Sequence, residues 1–414
     1  MVFMAALPTV STSTAHILRR LTLAPSASTL GAFDGRSADE VVRTLLAAAP
    51  LDVAPPTIDA DGDFFATTDW WLSVMRDPQG GLHERMTWFW HGHLTSGLDK
   101  ASPAMMLDQL LLLRRHALGN FRTMLREITL DPAMLSWLDG SGSDAAAPNE
   151  NFARELMELF ALGHDSGAYT EADVINGARA LAGYWIDNDD QAGDGAGSVQ
   201  FEPEGAIRRP VPFLGTNVRD VDDVIDAVCD HPACARYIAR TLYMDLVGSE
   251  PTGDRLEELA TVFRDADLEI APLVEAIATG PDFLDAAPRP RSALEWFLAF
   301  ERLFDTELEI WTLESMGQMP LNPPNVAGWP GTERWVSSGM LMIKAQTALD
   351  MSWNTATLDP VDPIGDVLQR AALAEISPVT RAVLDDIVAS GTDRQERSSL
   401  LYAAIALSPE FSLA

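Results

Sequence analysis

Helical periods follow one another along nearly the whole chain, and almost nothing between them has the alternation of a strand. Apolar residues three and four apart recur over 68–76, 82–92, 104–117, 149–162, 220–229, 233–246, 254–265, 270–279, 291–304 and 337–350. Three further helices are marked by their first residues. Ser37-Ala-Asp-Glu40 has capping-box spacing, in which hydroxyl and carboxylate each satisfy the other residue's backbone N–H, and it opens an apolar run through Leu46. Thr170-Glu-Ala-Asp173 is a looser version, opening a helix to about Gly183. Thr392-Asp-Arg-Gln395 caps a last helix carrying Leu400, Leu401, Ala404 and Leu407.

Strand signals are confined to Ser198–Phe201 and Val211–Leu214, which suggest one small irregular hairpin. Residues 139–148 and 187–216 are loops, and 320–334 form a Pro/Gly-rich element without helical character. No repeat and no long linker divides the chain. The expected fold is therefore all-α: one large multi-helical domain over 1–414, with long Pro/Gly-rich loops, at most a small hairpin, and a flexible start over 1–13.

Charge then removes several functions. The 414 residues carry 29 Lys and Arg against 61 Asp and Glu, a formal net charge of −32. Such a surface repels phosphate backbones and anionic lipid, so nucleic acid and membrane surfaces are not expected partners. With 47% hydrophobic and 22% charged residues the composition is that of a folded chain. No segment reaches about 18 uninterrupted apolar residues, so no spanning helix is expected. The first residues lack a basic stretch, and Pro8 interrupts their short apolar run, which points to a cytoplasmic protein. Cys229 and Cys234 lack the spacing of a redox or zinc motif and suit buried thiols at a helix start.

Three constellations could carry chemistry. In Leu82–Ser96, Glu84, Trp88 and His91 share a helix face, while His91 and His93 converge only if the helix ends near Gly92. Two imidazoles are a common start of a metal site; they are as readily structural donors beneath aromatic packing. In Pro148–Gly163, Asn149 can cap a helix whose polar stripe is Asn151, Arg154, Glu155 and Glu158, with Gly163 ending it. The apolar sector is broad, so these carboxylates need partners: Arg154, the histidines or a cation. His91, His93, Glu155 and Glu158 could thus hold a divalent metal ion between helices, although the Glu-x-x-His pairs of helical-bundle carboxylate sites are absent. In Met316–Trp335, prolines around Asn325 stiffen the backbone, glycines permit close approach, and Trp329 and Trp335 offer flat faces for a sugar or peptide, or else fold over the core.

These residues resemble the bacterial family catalogued as domain of unknown function eighteen hundred. The likeness runs from His16–Pro25 through Glu84–Ser96, Ala117–Arg122, Asp131–Leu135, Asn149–Gly163, Tyr169–Val174, Ala178–Trp185 and Gly317–Trp335 to Ser408–Phe411. The resemblance implies no established activity. It implies frequent encoding beside a sulfatase-like or alkaline-phosphatase-like protein, and in many members a twin-arginine export signal, which the first residues of this sequence are not expected to form. The sequence also departs from the family pattern. The usual His-Asp pair near Phe201–Gly215 is missing, leaving Glu202 or Glu204 as substitutes; Thr241-Leu242 stands for Lys-Leu, and Arg291-Ser-Ala for Lys-Ser-Pro.

Two functions are compatible with these residues. The favoured one is a non-catalytic or degenerate binding and assembly partner of the sulfatase-like protein, with the Trp329–Trp335 loop as contact surface. The alternative is a metal-dependent hydrolase, in which Glu84, Arg154 and Glu155 are the catalytic candidates and Asn149 and Asn151 hold substrate.

Overall fold

A computed structural model describes residues 12–58, 64–187, 196–353 and 355–414. Among these residues the chain forms 22 α-helices and two small antiparallel sheets of two strands each. Every helical period in the sequence becomes a helix, with ends shifted by one or two residues. The 82–92 period, for example, is Gly81–His93, and 233–246 is Pro232–Val247.

Caps set the boundaries. The capping boxes at Ser37 and Thr170 form, and a third at Ser292 and Glu295 opens the helix Ala293–Phe304. The last long helix starts one residue later than its threonine suggests: Asp393 is the cap, its carboxylate accepting from the N–H of Glu396 at 2.9 Å. Three of the helices without a counterpart among the periods are Pro132–Trp137 and Pro363–Arg370, which are too short to show one, and Pro378–Ala389, in which few residues are buried. Each is opened by an acceptor side chain and a proline at the first helical position: Asp131-Pro132, Asp362-Pro363 and Ser377-Pro378.

The expected single hairpin is instead two. Ser198–Phe201 pairs with Tyr184–Asp187, and Val211–Phe213 pairs with Thr216–Val218. The second turns through Leu214 and Gly215, both at positive φ (47° and 80°), as a two-residue hairpin loop requires. Part of the 187–216 loop, and residues 1–11 of the expected flexible start, lie outside the described residues. Thr12 already begins a helix, Thr12–Leu21.

Two large hydrophobic cores share the helix Gly81–His93, and Pro103–His116 and Pro132–Trp137 also reach into both. The first includes Leu18, Phe121, Phe160, Leu242 and Phe263, as well as both free cysteines. The second includes Trp71, Met106, Trp296, Phe300 and Leu401. Gly81–His93 gives Met86, Phe89 and Trp90 to the first and Trp88 to the second, so it is buried all round from Leu82 to His91. Its charged residues have no solvated face and must find partners inside.

Candidate functional site

A pocket of about 440 Å³ opens where the two cores meet, a volume in the range of small-molecule sites. One wall is a face of the shared helix, with Arg85, Trp88, Phe89, Gly92 and His93 at helical spacings. The facing wall is Tyr237, Thr241, Met244 and Asp245 of Pro232–Val247, again three and four apart. Gln318, Val326, Trp329 and Trp335, within and beside the Pro/Gly-rich element, close a third side, and Arg289, Ser292 and Glu295 also line the pocket.

One end of the pocket is charged. Arg289 clamps Glu295 through two hydrogen bonds of 2.8 and 2.6 Å, and Glu295 also accepts from the Ser292 N–H. Burial alone would raise the Glu295 carboxyl, but Arg289 and Arg85 beside it hold it well below the usual range. Arg85, 2% exposed, donates from Nη2 to Asp245 at 2.5 Å, while its Nε lies 4.0 Å from Glu295. More positive charge stands behind. Burial and the neighbouring Arg289 push Arg20 down to about 9, and burial and Arg19 do the same to Arg291. Burial and Arg291 push Lys344 down to about 8.

The other end is aromatic, and it rests on an irregular helix. Asn151–Glu155 continues as a π-helical turn, Leu156–Ala161, in which the Leu162 N–H reaches five residues back to the Met157 carbonyl. The terminal carbonyls left over are taken by pocket side chains: Tyr237 Oη donates to Leu159 O and His93 Nε2 to Phe160 O, both at 2.8 Å. That bond fixes the proton on His93 Nε2, and burial holds the ring neutral, its pKa lowered to about 4. Gly163 ends the turn at φ 87°, where a Cβ would come within 2.7 Å of the Tyr237 ring. Trp329 stacks on Trp88 at 4.8 Å and meets the His91 ring at 5.3 Å.

The structure brings only part of the sequence-predicted set together. His93, Trp329 and Trp335 line the pocket. His91 does not: its Nε2 accepts from the Leu321 N–H at 3.1 Å, and burial lowers its pKa to about 3. Glu84 is held by Arg114, at 2.7 and 2.9 Å, and by Trp71 Nε1. Although burial pushes its carboxyl up, His83 and Arg114 bring it below its ordinary value. Arg154 pairs with Glu171, Glu150 and Glu158, and Glu158 also meets His164, so this stripe is a network of its own. Glu155 is half-buried, its carboxyl raised by burial and by Glu158.

Asn149 is not the helix cap, a place taken by Glu150. Asn149 and Asn151 instead tie down the 139–148 loop, donating to the carbonyls of Asp139 and Leu138. Asn325 shapes its own turn through the Ala327 N–H. Glu202 and Glu204 are exposed. His91, His93, Glu155 and Glu158 therefore do not converge, and among the described residues no three of His, Cys, Asp and Glu are placed to hold a metal ion.

Sequence reasoning passed over Arg85, Asp245, Arg289 and Glu295. Three of the four carried a signal: Arg85 lies in a helix with no polar face, and Arg289 precedes the capping box of Ser292 and Glu295.

The fold and site thus define a mostly helical protein with a pocket between two cores. The chain belongs to the family described as "Protein of unknown function (DUF1800)", whose profile matches residues 16–413. No curated protein and no solved structure matches the chain. Among the described residues no helix is long and apolar enough to cross a membrane.

Proposed function

We propose that this chain binds a small organic molecule in the pocket between its cores. Arg85 carries the reading. Its guanidinium is buried in the pocket wall, yet Nε and Nη1 have no hydrogen-bond partner. A buried charge left part-partnered costs folding energy, and a ligand that completes it offsets the cost. The test is saturation-transfer NMR with small aromatic compounds of positive, negative and zero charge. Thr241→Trp, which fills the pocket, should abolish the signals of those that bind. If it leaves all of them unchanged, with circular dichroism as in the parent, the pocket is not the site.

A second reading, assembly with another protein, has its own observation. Met342, Leu349 and Trp353 are spaced seven and four apart along and just past the helix Ser338–Ser352, and they are 71%, 51% and 64% exposed. That apolar strip is the surface to offer the sulfatase-like protein that the family resemblance suggests. Co-purification should yield a complex that Met342→Glu breaks. The metal-hydrolase alternative would require His91 and His93 to leave their backbone partners, and metal analysis of the untagged protein tests it.

A further inference from the structure

The pocket walls hold more donors than acceptors. Arg85 Nε and Nη1, Arg289 Nε and Trp329 Nε1 are buried without partners, and all three residues line the pocket. The acceptors beside them are taken. Glu295 is held by Arg289 and the Ser292 N–H, Asp245 by Arg85, and the Leu159 and Phe160 carbonyls by Tyr237 and His93. A ligand that completes these walls brings oxygen lone pairs rather than N–H groups.

Charge leads to the same ligand. Five basic side chains, Arg20, Arg85, Arg289, Arg291 and Lys344, act on Glu295, and Asp245 is the second carboxylate among them. In a chain of net charge −32, this local excess of positive charge runs against the composition. Trp88 and Phe89 line the same pocket one helical turn on from Arg85, with Trp329 stacked on Trp88.

We propose that the charged end receives an oxyanion, a carboxylate or a phosphate or sulfate ester, carried on a ring that lies along Trp88, Phe89 and Trp329. The proposal rests on the pocket being a ligand site. Asp245 is the group the ligand displaces: its side chain is 34% exposed against 2% for Arg85, so it can turn to solvent and release Nη2. The guanidinium then meets the incoming oxyanion with a free edge, the geometry arginine uses for paired oxygens.

Isothermal titration at low salt tests this with benzoate, phenyl phosphate, phenyl sulfate, benzyl alcohol, benzylamine and inorganic phosphate. At least one aryl anion should bind ten-fold or more tightly than benzyl alcohol, benzylamine and inorganic phosphate, and Asp245→Asn should tighten that anion several-fold. The preferred anion separates an acid from an ester. Alcohol or amine binding as tightly as every anion overturns the inference and leaves the pocket reading standing. Inorganic phosphate binding as tightly as the best aryl anion overturns the role of the ring. Weaker anion binding in Asp245→Asn overturns the displacement, while the ranking on the parent protein decides the anion without that variant. Failure of all six to bind overturns both the inference and the pocket reading.

Discussion

Gly328 rests on the backbone of Gly92 so closely that a Cβ at 328 would collide with the Gly92 carbonyl oxygen. This approach, with the hydrogen bond from Thr95 Oγ1 to Val326 O at 2.5 Å, seats the Pro/Gly-rich element on the end of the shared helix and presents Trp329 to Trp88.

Gly328→Ala should therefore lift that element. Its φ of 77° adds backbone strain to the collision, and a loss of about 2 kcal/mol is expected in urea unfolding. Tryptophan fluorescence should change as Trp329 leaves Trp88. Gly331→Ala serves as the control, since nothing lies within 4 Å of its added Cβ; equal losses in the two variants would show that the approach at Gly328 is not tight.

The two buried histidines make stability fall on the acid side. Burial lowers His91 to about 3 and His93 to about 4, against 6.5 for a free ring. Below about pH 6.5 the unfolded chain takes up protons that the folded chain refuses, so this contribution is intact above 6.5 and is lost as pH falls toward 4. Asp131, raised by burial to about 7, acts in the opposite sense over much of that range, so the histidine effect is read as a difference. His93→Gln keeps a donor for Phe160 O and cannot titrate. Its urea midpoint should fall less than that of the parent between pH 7 and pH 5, and parallel curves would sink the assignment.

Breaking the Glu84 pair should be expensive. Glu84→Gln leaves the Arg114 guanidinium buried against an amide, and a loss of about 3 kcal/mol or more is expected from denaturant unfolding. A change below about 0.5 kcal/mol would mean that the pair is not held in solution as described.

Lys344 should be dispensable for stability. Its ammonium lies 5.4 Å from the Trp296 ring centroid, is buried, and faces the charge of Arg291. Lys344→Met keeps the stem and removes a desolvated charge, so thermal unfolding should move upward, by about 1 kcal/mol in stability. A drop in melting temperature would show that the cation is needed by Glu295.

The fold was legible in the sequence because the signals that build it are local. Ser37 with Glu40, and Thr170 with Asp173, specify helix starts within four residues. The pairing of strands was less so, because Ser198–Phe201 chooses Tyr184–Asp187 over a segment as close on its other side. The site was the least legible part. His91 and His93 have the chemistry of metal ligands, but His91 is used by the Leu321 N–H and His93 by the Phe160 carbonyl, neither of which spacing reveals. Arg85, Asp245 and Glu295 stand far apart in the chain and become one group only when the cores meet.

The π-helical turn at Leu156–Ala161 makes the pocket sensitive to register. A π-turn takes up one residue more than an α-turn over nearly the same rotation, so loss of one residue there would restore the ordinary i→i−4 ladder and leave the residues downstream on nearly the same face. The Leu159 and Phe160 carbonyls would be drawn back along the helix axis, weakening the bonds that Tyr237 and His93 make to them. In this stretch a single deletion would change the hydrogen bonds at the pocket wall while leaving the path of the chain beyond it nearly unaltered.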